Sequence, residues 1–564
     1  MQDISTSLTP MQRFWQLLRP DSRDIYQVYT YAFFKGLIAL SMPLGIQSII
    51  NLIQGGAIST SWILMSFVIA LCVALNGYMQ LMQMRLMENI QQRIFVRASF
   101  DLTFRIPRLR LADIRTKYTP ELMNRFFEIL SIQKNLSKII INFSSAILQI
   151  IFGLILLSLY HPFFILFSAI LVILIWVIIQ FTSKAALETS LQESKFKYQV
   201  LSWLEELARV KETFKMAGTT TLPETRTDNR AEGYLKAREQ HYDVLRVQYS
   251  LLLIFKVLVA LALLLIGGSL VIKQKMNIGQ FVAAEIIILL VIDSVEKIIL
   301  SLDSVYDTMT SLEKISEITG MRLDEERGEE EYLPMPVEPS ITLSLNNVSF
   351  SYVDSDKQIL QKIDMQFDPG KKYGIKGDNG SGKSTLLHLI GGLFQPTSGS
   401  VCINGQPMHS YRMDERSDRI GTVFKEDSIF EGSILDNITL GRADMSMDQI
   451  QQTLDLLFLS DFIRTLPDGL FTKLEPLGRR LPRSIIQKIL IARAVWFKPS
   501  VLLIENALEN IVVEERKKIY DYLFDQNNQW TLIAVSNDPL VTERCDVLAE
   551  IQHGQINSLQ KNEL

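Results

Sequence analysis

Cysteine is nearly absent from the 564-residue sequence: only Cys72, Cys402 and Cys545 occur, far apart from one another. An odd, scattered set fits neither a disulfide framework nor a metal-ligand spacing, and implies reduced thiols. Charge is scarce too, with 21% charged residues and a net charge of −4, so nothing favours a nucleic-acid partner. With 48% hydrophobic residues the chain is too apolar for extended disorder. The polar stretch Met1–Pro10 lacks the form of a secretory signal, and no cleavable signal peptide is expected before the first apolar segment.

What the first half has in abundance is long apolar runs. Six segments, at about 28–53, 61–83, 139–159, 162–181, 249–272 and 278–302, each approach the roughly 20 residues that span a bilayer as a helix. Stretches such as IIFGLILLSLY are apolar all round, which sets aside an amphipathic helix of a soluble core. The connectors after the first and third segments, QGGAISTS and YHP, are short and free of Lys and Arg. Those after the second and fourth are long and carry Arg93, Arg97, Arg105, Arg108, Arg110, Lys184, Lys195 and Lys211. The positive-inside rule then places the long connectors and both termini in the cytosol, with Lys273 and Lys275 a small exception. The long connectors read as helices continuing the spans.

Between Pro10 and Pro20, Met11, Phe14, Trp15 and Leu18 recur at helical spacing, as in an interfacial helix or a buried elbow. Lys35, Lys256, Glu285, Asp293 and Glu296 lie within or near spans, where ionisable groups face a cavity or a partner by default. The three acids share roughly one side of the sixth helix, and Glu285 is a candidate for lining a substrate path. The acidic run Asp324–Glu331, followed by Pro334, Pro336 and Pro339, reads as a solvated linker. Beyond it ITLSLNNVSFSY alternates like a strand, and strand and helix patterns follow each other as in an α/β domain.

After the strand KYGIK stands Gly377-Asp378-Asn379-Gly380-Ser381-Gly382-Lys383-Ser384-Thr385, then the helical LLHLIGGL: a phosphate loop in its required strand–loop–helix context. Glycines let backbone N–H groups close round phosphates, Lys383 neutralises the β and γ groups, and Ser384 offers its hydroxyl to Mg²⁺. The helix N-terminus adds positive dipole.

With LLHLIGGLFQPTSGSVCINGQPM, IGTVFKEDSIFEGSILDNITLG and LGRRLPRSIIQKILIARAVWFKPSVLLIEN, the chain resembles the ABC exporter family over nearly its whole length. The resemblance implies a multidomain membrane protein, with an all-α six-helix transmembrane domain joined to an α/β phosphate-loop NTPase domain. It implies an interfacial elbow at 1–24, the transmembrane domain at 25–320, the linker at 321–340 and the nucleotide domain at 341–564. It also implies ATP and Mg²⁺ as ligands, with Gly377, Asn379, Gly380, Ser381, Gly382, Lys383, Ser384 and Thr385 on the nucleotide. Tyr352 would stack on adenine, a core-strand role remaining open, and Ser384 and Glu505 would hold the metal.

At the hydrolytic positions the sequence departs from the family. The Q-loop glutamine falls on Lys425, the signature on Leu481-Pro482-Arg483-Ser484-Ile485, and the Walker B aspartate on Glu505. The catalytic glutamate falls on Asn506, the D-loop aspartate on Val512 and the switch histidine on Asn537. Asn506 is an amide and cannot accept a proton from water. Pro482 lacks both the hydroxyl and the N–H that the signature normally presents to a nucleotide on the opposite subunit, though it suits the start of a helix. Lys425 is either a positive charge near the γ-phosphate or a surface lysine. The expected function is an ATP-binding, hydrolysis-impaired exporter subunit of the cytoplasmic membrane, multi-pass and embedded in lipid bilayer. The alternative is a non-hydrolysing structural or regulatory component of a secretion or membrane assembly. The expected partner is a second ABC half, with a heterodimer favoured and a homodimer open, and a periplasmic adaptor is a further candidate. No N-terminal peptidase domain is expected, and the substrate is not specified by these motifs.

Overall fold

The computed structural model describes residues 9–54, 60–114, 119–324, 332–335, 341–353, 357–442 and 446–561. They form two compact units, Met1–Pro107 with Tyr118–Met321, and Arg108–Lys117 with Arg322–Leu564.

Among the described residues, six helices of the first unit are long and apolar enough to cross a membrane: Pro10–Gln54, Thr60–Arg108, Leu122–Tyr160, Phe164–Arg209, Leu222–Ile272 and Ile278–Thr319. Each holds one of the six apolar segments and several run well past it. The fourth stays helical to Arg209 because its polar half keeps a stripe at i, i+4 spacing, with Ala186, Ser190, Ser194 and Tyr198 all buried. The sixth span is the hub of packing, half of its apolar window being buried within the chain against none of the second's. Small residues make this possible: Ala283, Ala284, Ser294 and Ser301 are buried on it. On the third span, a Cβ at Gly153 would come within 2.7 Å of Val291. In lipid, where apolar burial gives little drive between helices, such close approach supplies the attraction.

Glu296 is held by Lys256 (3.1 Å) and Tyr249, whereas Asp293 is exposed. Glu285 is half-buried and has no hydrogen bond or ion pair among the described residues. The short connector after the first span lies mostly outside the described residues.

The elbow forms the helix Pro10–Leu18, opened by a reciprocal cap between Thr9 and Gln12 with proline in the first turn. Its regularly spaced apolar residues divide. Phe14 and Leu18 are buried with Ile25, Val28, Met87 and Ile90, while Met11 and Trp15 are 47% and 55% exposed. One face is docked in the bundle and the other is exposed.

The described ends of the expected linker at 321–340 are tied by backbone hydrogen bonds. Leu323 bridges Leu109, the Asp324 N–H donates to the Arg108 carbonyl (2.7 Å), and the Leu333 N–H donates to that of Ser410 (2.8 Å). The Met335 N–H donates to the Glu415 carboxylate. Backbone groups that a free spacer would leave to water are thus tied into the second unit. Residues 325–331, most of the acidic run, and 336–340 lie outside the described residues.

In chain order the strands of the second unit are β1 Leu343–Ser351, β2 Gln358–Phe367, β3 Lys372–Gly377, β4 Ser398–Ile403, β5 Gln406–Pro407 and β6 Ile420–Val423. Then come β7 Gly432–Ser433, β8 Lys473–Leu474, β9 Val501–Glu505, β10 Thr531–Val535, β11 Val547–Gln552 and β12 Gln555–Lys561. One sheet has the order β12-β11-β3-β10-β9-β6, parallel except for β12; a second, β2-β1-β4-β5, is antiparallel, and β7 pairs with β8 antiparallel. VLLIE and TLIAV, in β9 and β10, are buried at every residue, as a parallel sheet covered on both faces requires.

Lys372 opens β3 fully buried, its ammonium donating to the carbonyls of Asn528 (3.0 Å) and Trp530 (2.8 Å). Burial pulls its pKa down to about 8, against the opposing charge of Asp546. Between pH 8 and 10.5 the unfolded chain therefore holds a proton that the folded chain has shed, so stability rises with pH in that window. At roughly 1.4 kcal/mol per unit the gain is on the order of 3 kcal/mol. Thermal unfolding of wild type and Lys372→Met from pH 7.5 to 10 checks this, the rise being expected in wild type alone.

Candidate functional site

β3 ends at Gly377 and the next helix, Lys383–Ile390, starts at the far end of a tight loop. Two glycines fix that loop. At Gly377 (φ +151°) an added Cβ would stand 2.2 Å from the Ile551 carbonyl oxygen, and at Gly382 (φ +105°) 2.7 Å from Leu360 Cδ2. No side chain fits at either place. Lys383 Nζ donates to the carbonyls of Gly377 and Asp378, 2.7 Å each, which holds the ammonium over the loop. Burial lowers its pKa, while Asp378 and Glu505 pull it the other way. The Ser381 hydroxyl is buried in the cradle without a hydrogen-bond partner among the described residues. An unpaired hydroxyl, an ammonium and a helix N-terminus in a glycine cradle fit a phosphate. Asn379, Gly380 and Ser384 lie exposed around it.

Ser384 Oγ donates to Glu505 Oε1 at 2.5 Å, and Glu505 Oε2 accepts from the Lys425 N–H at 3.4 Å. Glu505 ends β9 and is 5% exposed. A hydroxyl and a carboxylate in contact are the hard oxygen donors that Mg²⁺ takes. Tyr352 lies beside the loop. Its hydroxyl is 2.8 Å from Thr385 Oγ1, and its ring meets Phe350 and Phe394 edge-on. Half-buried and packed against the core, it combines a core contact with a place at the loop.

Asn506 follows Glu505 with φ +46°, in the left-handed region that asparagine tolerates best after glycine. Lys425 is exposed. Pro482 stands just before the helix Arg483–Val495, so that helix persists with no side-chain cap, while Val512 is exposed at the start of another. By sequence Asn537 is a replacement at the switch-histidine position. Its amide in fact donates to the Gly377 carbonyl (3.2 Å) and accepts from the Gly377 N–H (3.3 Å), clamping the first residue of the loop. No local signal announces this, since the two residues are 160 apart. Losing the clamp costs about 1 kcal/mol. Asn537→Ala is therefore expected to weaken binding of a fluorescent ATP analogue roughly fivefold.

Two family models match: the ABC transporter transmembrane region over residues 29–295 and the ABC transporter domain over 360–509. The chain belongs to the ABC transporter family. A multidrug resistance ABC transporter ATP-binding and permease protein of Lactococcus lactis is 31% identical over 40% of this chain and 38% of its own length. The cyclolysin secretion/processing ATP-binding protein of Bordetella pertussis is 28% identical over 58% of this chain and 46% of its own length. The curated relatives are thus matched over less than half of their length. A solved bacterial Atm1-family ABC exporter with ATP bound superposes with a TM-score of 0.85, covering 96% of this chain and 95% of that one at 18% identity. The fold of this ABC chain is that of an exporter half, a multi-pass membrane protein with its nucleotide domain on the same chain. The phosphate loop, Glu505 and Asn506 all lie inside the matched nucleotide domain.

Proposed function

We propose that the chain is an ATP-holding subunit of an exporter, impaired in hydrolysis, in the cytoplasmic membrane. The observation that carries this is a complete phosphate cradle next to an amide: the loop and the Ser384–Glu505 pair are built, while Asn506 stands where a general base would. Magnesium, when bound, supplies charge neutralisation for the phosphates. The chain's own residues divide the rest: Lys383 and the loop N–H groups bind, Ser384 and Glu505 hold the metal, Tyr352 packs beside the base, and Asn537 braces the loop. Without a proton acceptor at Asn506 the cradle retains ATP and does not activate water.

A partner follows from the same chemistry. The helix behind Pro482 and Arg483 offers no signature contact, so we place this chain beside a second ABC half that supplies one, in preference to a homodimer. The Lys and Arg distribution supports cytosolic long connectors and termini. Loss of both base and signature in one chain favours a second reading, a non-hydrolysing component of a secretion assembly that uses ATP as a structural ligand, with a periplasmic adaptor as its neighbour. Affinity purification of the tagged chain from its native membrane separates the two. An intact ABC half in stoichiometric amount supports the first, and an adaptor without one supports the second.

A further inference from the structure

The stretch RPDSRD, residues 19–24, joins the elbow to the first span and is neutral by composition, two arginines against two aspartates. The fold sorts those charges. Asp21, 3% exposed, turns inward and accepts from Arg93 (3.3 Å) and Arg97 (2.5 Å), while Asp24 accepts from the other arm of Arg93. Arg13 is matched by Glu313 (3.4 Å) and Ser316 (2.7 Å). Arg19 and Arg23 stay exposed, and neither side chain has a hydrogen bond or ion pair among the described residues. Taking the described elbow with its ion-pair partners, Arg13, Arg19, Arg23, Arg93 and Arg97 stand against Asp21, Asp24 and Glu313, and the surplus is the outward pair. On the second span the exposed Arg85 and Glu88 cancel. Helix packing also sets the depth of that pair. Gln83, the last residue of the second apolar segment, is buried, and its amide donates to the carbonyl of Val28 (3.1 Å), the first residue of the first segment. The two apolar segments therefore end level. Arg23 lies five helical residues before Val28, about 7 Å outside that edge. The headgroup layer of one leaflet is ~5–8 Å thick, so this is the depth of lipid phosphates. Trp15 and Tyr26, 55% and 73% exposed, are of the types that settle at the same depth.

We propose that Arg19 and Arg23 bind the phosphate groups of anionic phospholipids in the leaflet against which the elbow lies. The guanidinium fork matches phosphate oxygens two at a time. A zwitterionic lipid offsets its phosphate with its own ammonium, whereas an anionic lipid leaves a charge that the outward arginines answer. Each arginine near an anionic leaflet adds attraction, which salt screens. The inward turn of Asp21 and Asp24 is what makes the surface selective: with those carboxylates outward, the segment would meet the lipid with no net charge. The inference goes beyond the nucleotide reading and requires neither ATP nor a second subunit; it rests only on the elbow lying at a membrane surface.

The test uses the full chain in discs of mixed phosphatidylglycerol and phosphatidylcholine, with brominated acyl chains on one lipid or on the other. Bromine quenches tryptophan on contact, and in each background the Trp15 signal is the difference made by Trp15→Phe. Phosphatidylglycerol is expected to be enriched over phosphatidylcholine at Trp15 about tenfold at low salt, falling severalfold at ~0.5 M salt. Arg19→Gln with Arg23→Gln should bring that ratio close to one, whereas Arg19→Lys with Arg23→Lys should keep most of it. The ratio is taken within one protein and so does not depend on its folded fraction. Both leaflets of a disc hold the same lipids, so the result does not depend on which side of the cell membrane the elbow takes. Equal quenching by the two lipids, or a preference that survives the glutamine variant, overturns the assignment and leaves the elbow at the membrane. Failure of either lipid to quench Trp15 overturns the membrane placement of the elbow, and the assignment with it.

Discussion

Reconstituted alone in lipid discs, the chain is expected to bind ATP and to consume it no faster than its Lys383→Ala variant. A general base contributes ~10²–10⁴ in rate, and the residue at that position is the amide Asn506. The signature position adds a second deficit, since Pro482 offers no N–H and the exposed Arg483 adds bulk. Returning a carboxylate with Asn506→Glu is therefore expected to leave turnover flat, and the fold adds its own obstacle. At φ +46° glutamate is strained by roughly 1–2 kcal/mol where asparagine is tolerated. Phosphate release measured beside the Lys383→Ala control decides the matter. Turnover clearly above that control in the wild-type chain would mean a proton acceptor elsewhere and a self-sufficient transporter.

Gly377→Ala is expected to weaken nucleotide binding about a hundredfold while leaving the membrane unit intact. The new Cβ would meet the carbonyl oxygen of Ile551 at 2.2 Å. That oxygen cannot step aside, because Ile551 is level with Gly377 in the parallel pairing of β11 with β3. Relief would have to part the two strands at the mouth of the loop, at a cost of about 1–3 kcal/mol or more. The parting would also disturb the Asn537 clamp and the two carbonyls that hold Lys383. Roughly a hundredfold loss of ATP-analogue affinity follows from about 3 kcal/mol. Unchanged affinity in this variant would show that the loop reshapes freely on binding, and would remove the preorganised cradle from the argument.

Much of this protein was legible without coordinates. The spans could be located because a lipid-crossing helix needs an uninterrupted apolar run, a property of one contiguous segment. The phosphate loop could be located because its glycines, lysine and serine stand in fixed order between a strand and a helix. Other features had no local signature. The fourth span's extension to Arg209 rests on a buried stripe that mixes Ala, Ser and Tyr, a weak apolar signal. The linker looked like a free spacer by composition, yet Leu323 and Leu333 are tied by backbone bonds that composition does not encode. The elbow's Met11, Phe14, Trp15 and Leu18 share a helical spacing but divide between core and surface.

The sequence by itself therefore determined the two-part plan, the six spans, the phosphate loop and the chemical kind of every residue at the hydrolytic positions. Only the tertiary structure decided which of those residues meet. Val535 of β10 is level with Ile375 of β3 on one side and Glu505 of β9 on the other. That register brings Gly377, Asn506 and Asn537 out at one edge of the sheet. It turns Asn537 into a clamp and sets Glu505 against Ser384. In the membrane unit, helix packing likewise sets Glu128 of the third span against Lys197 and Tyr198 of the fourth and Ser311 of the sixth. Contacts between residues far apart in the chain are set by strand register and helix approach, which depend on the whole core packing at once and leave no mark on any single stretch of sequence.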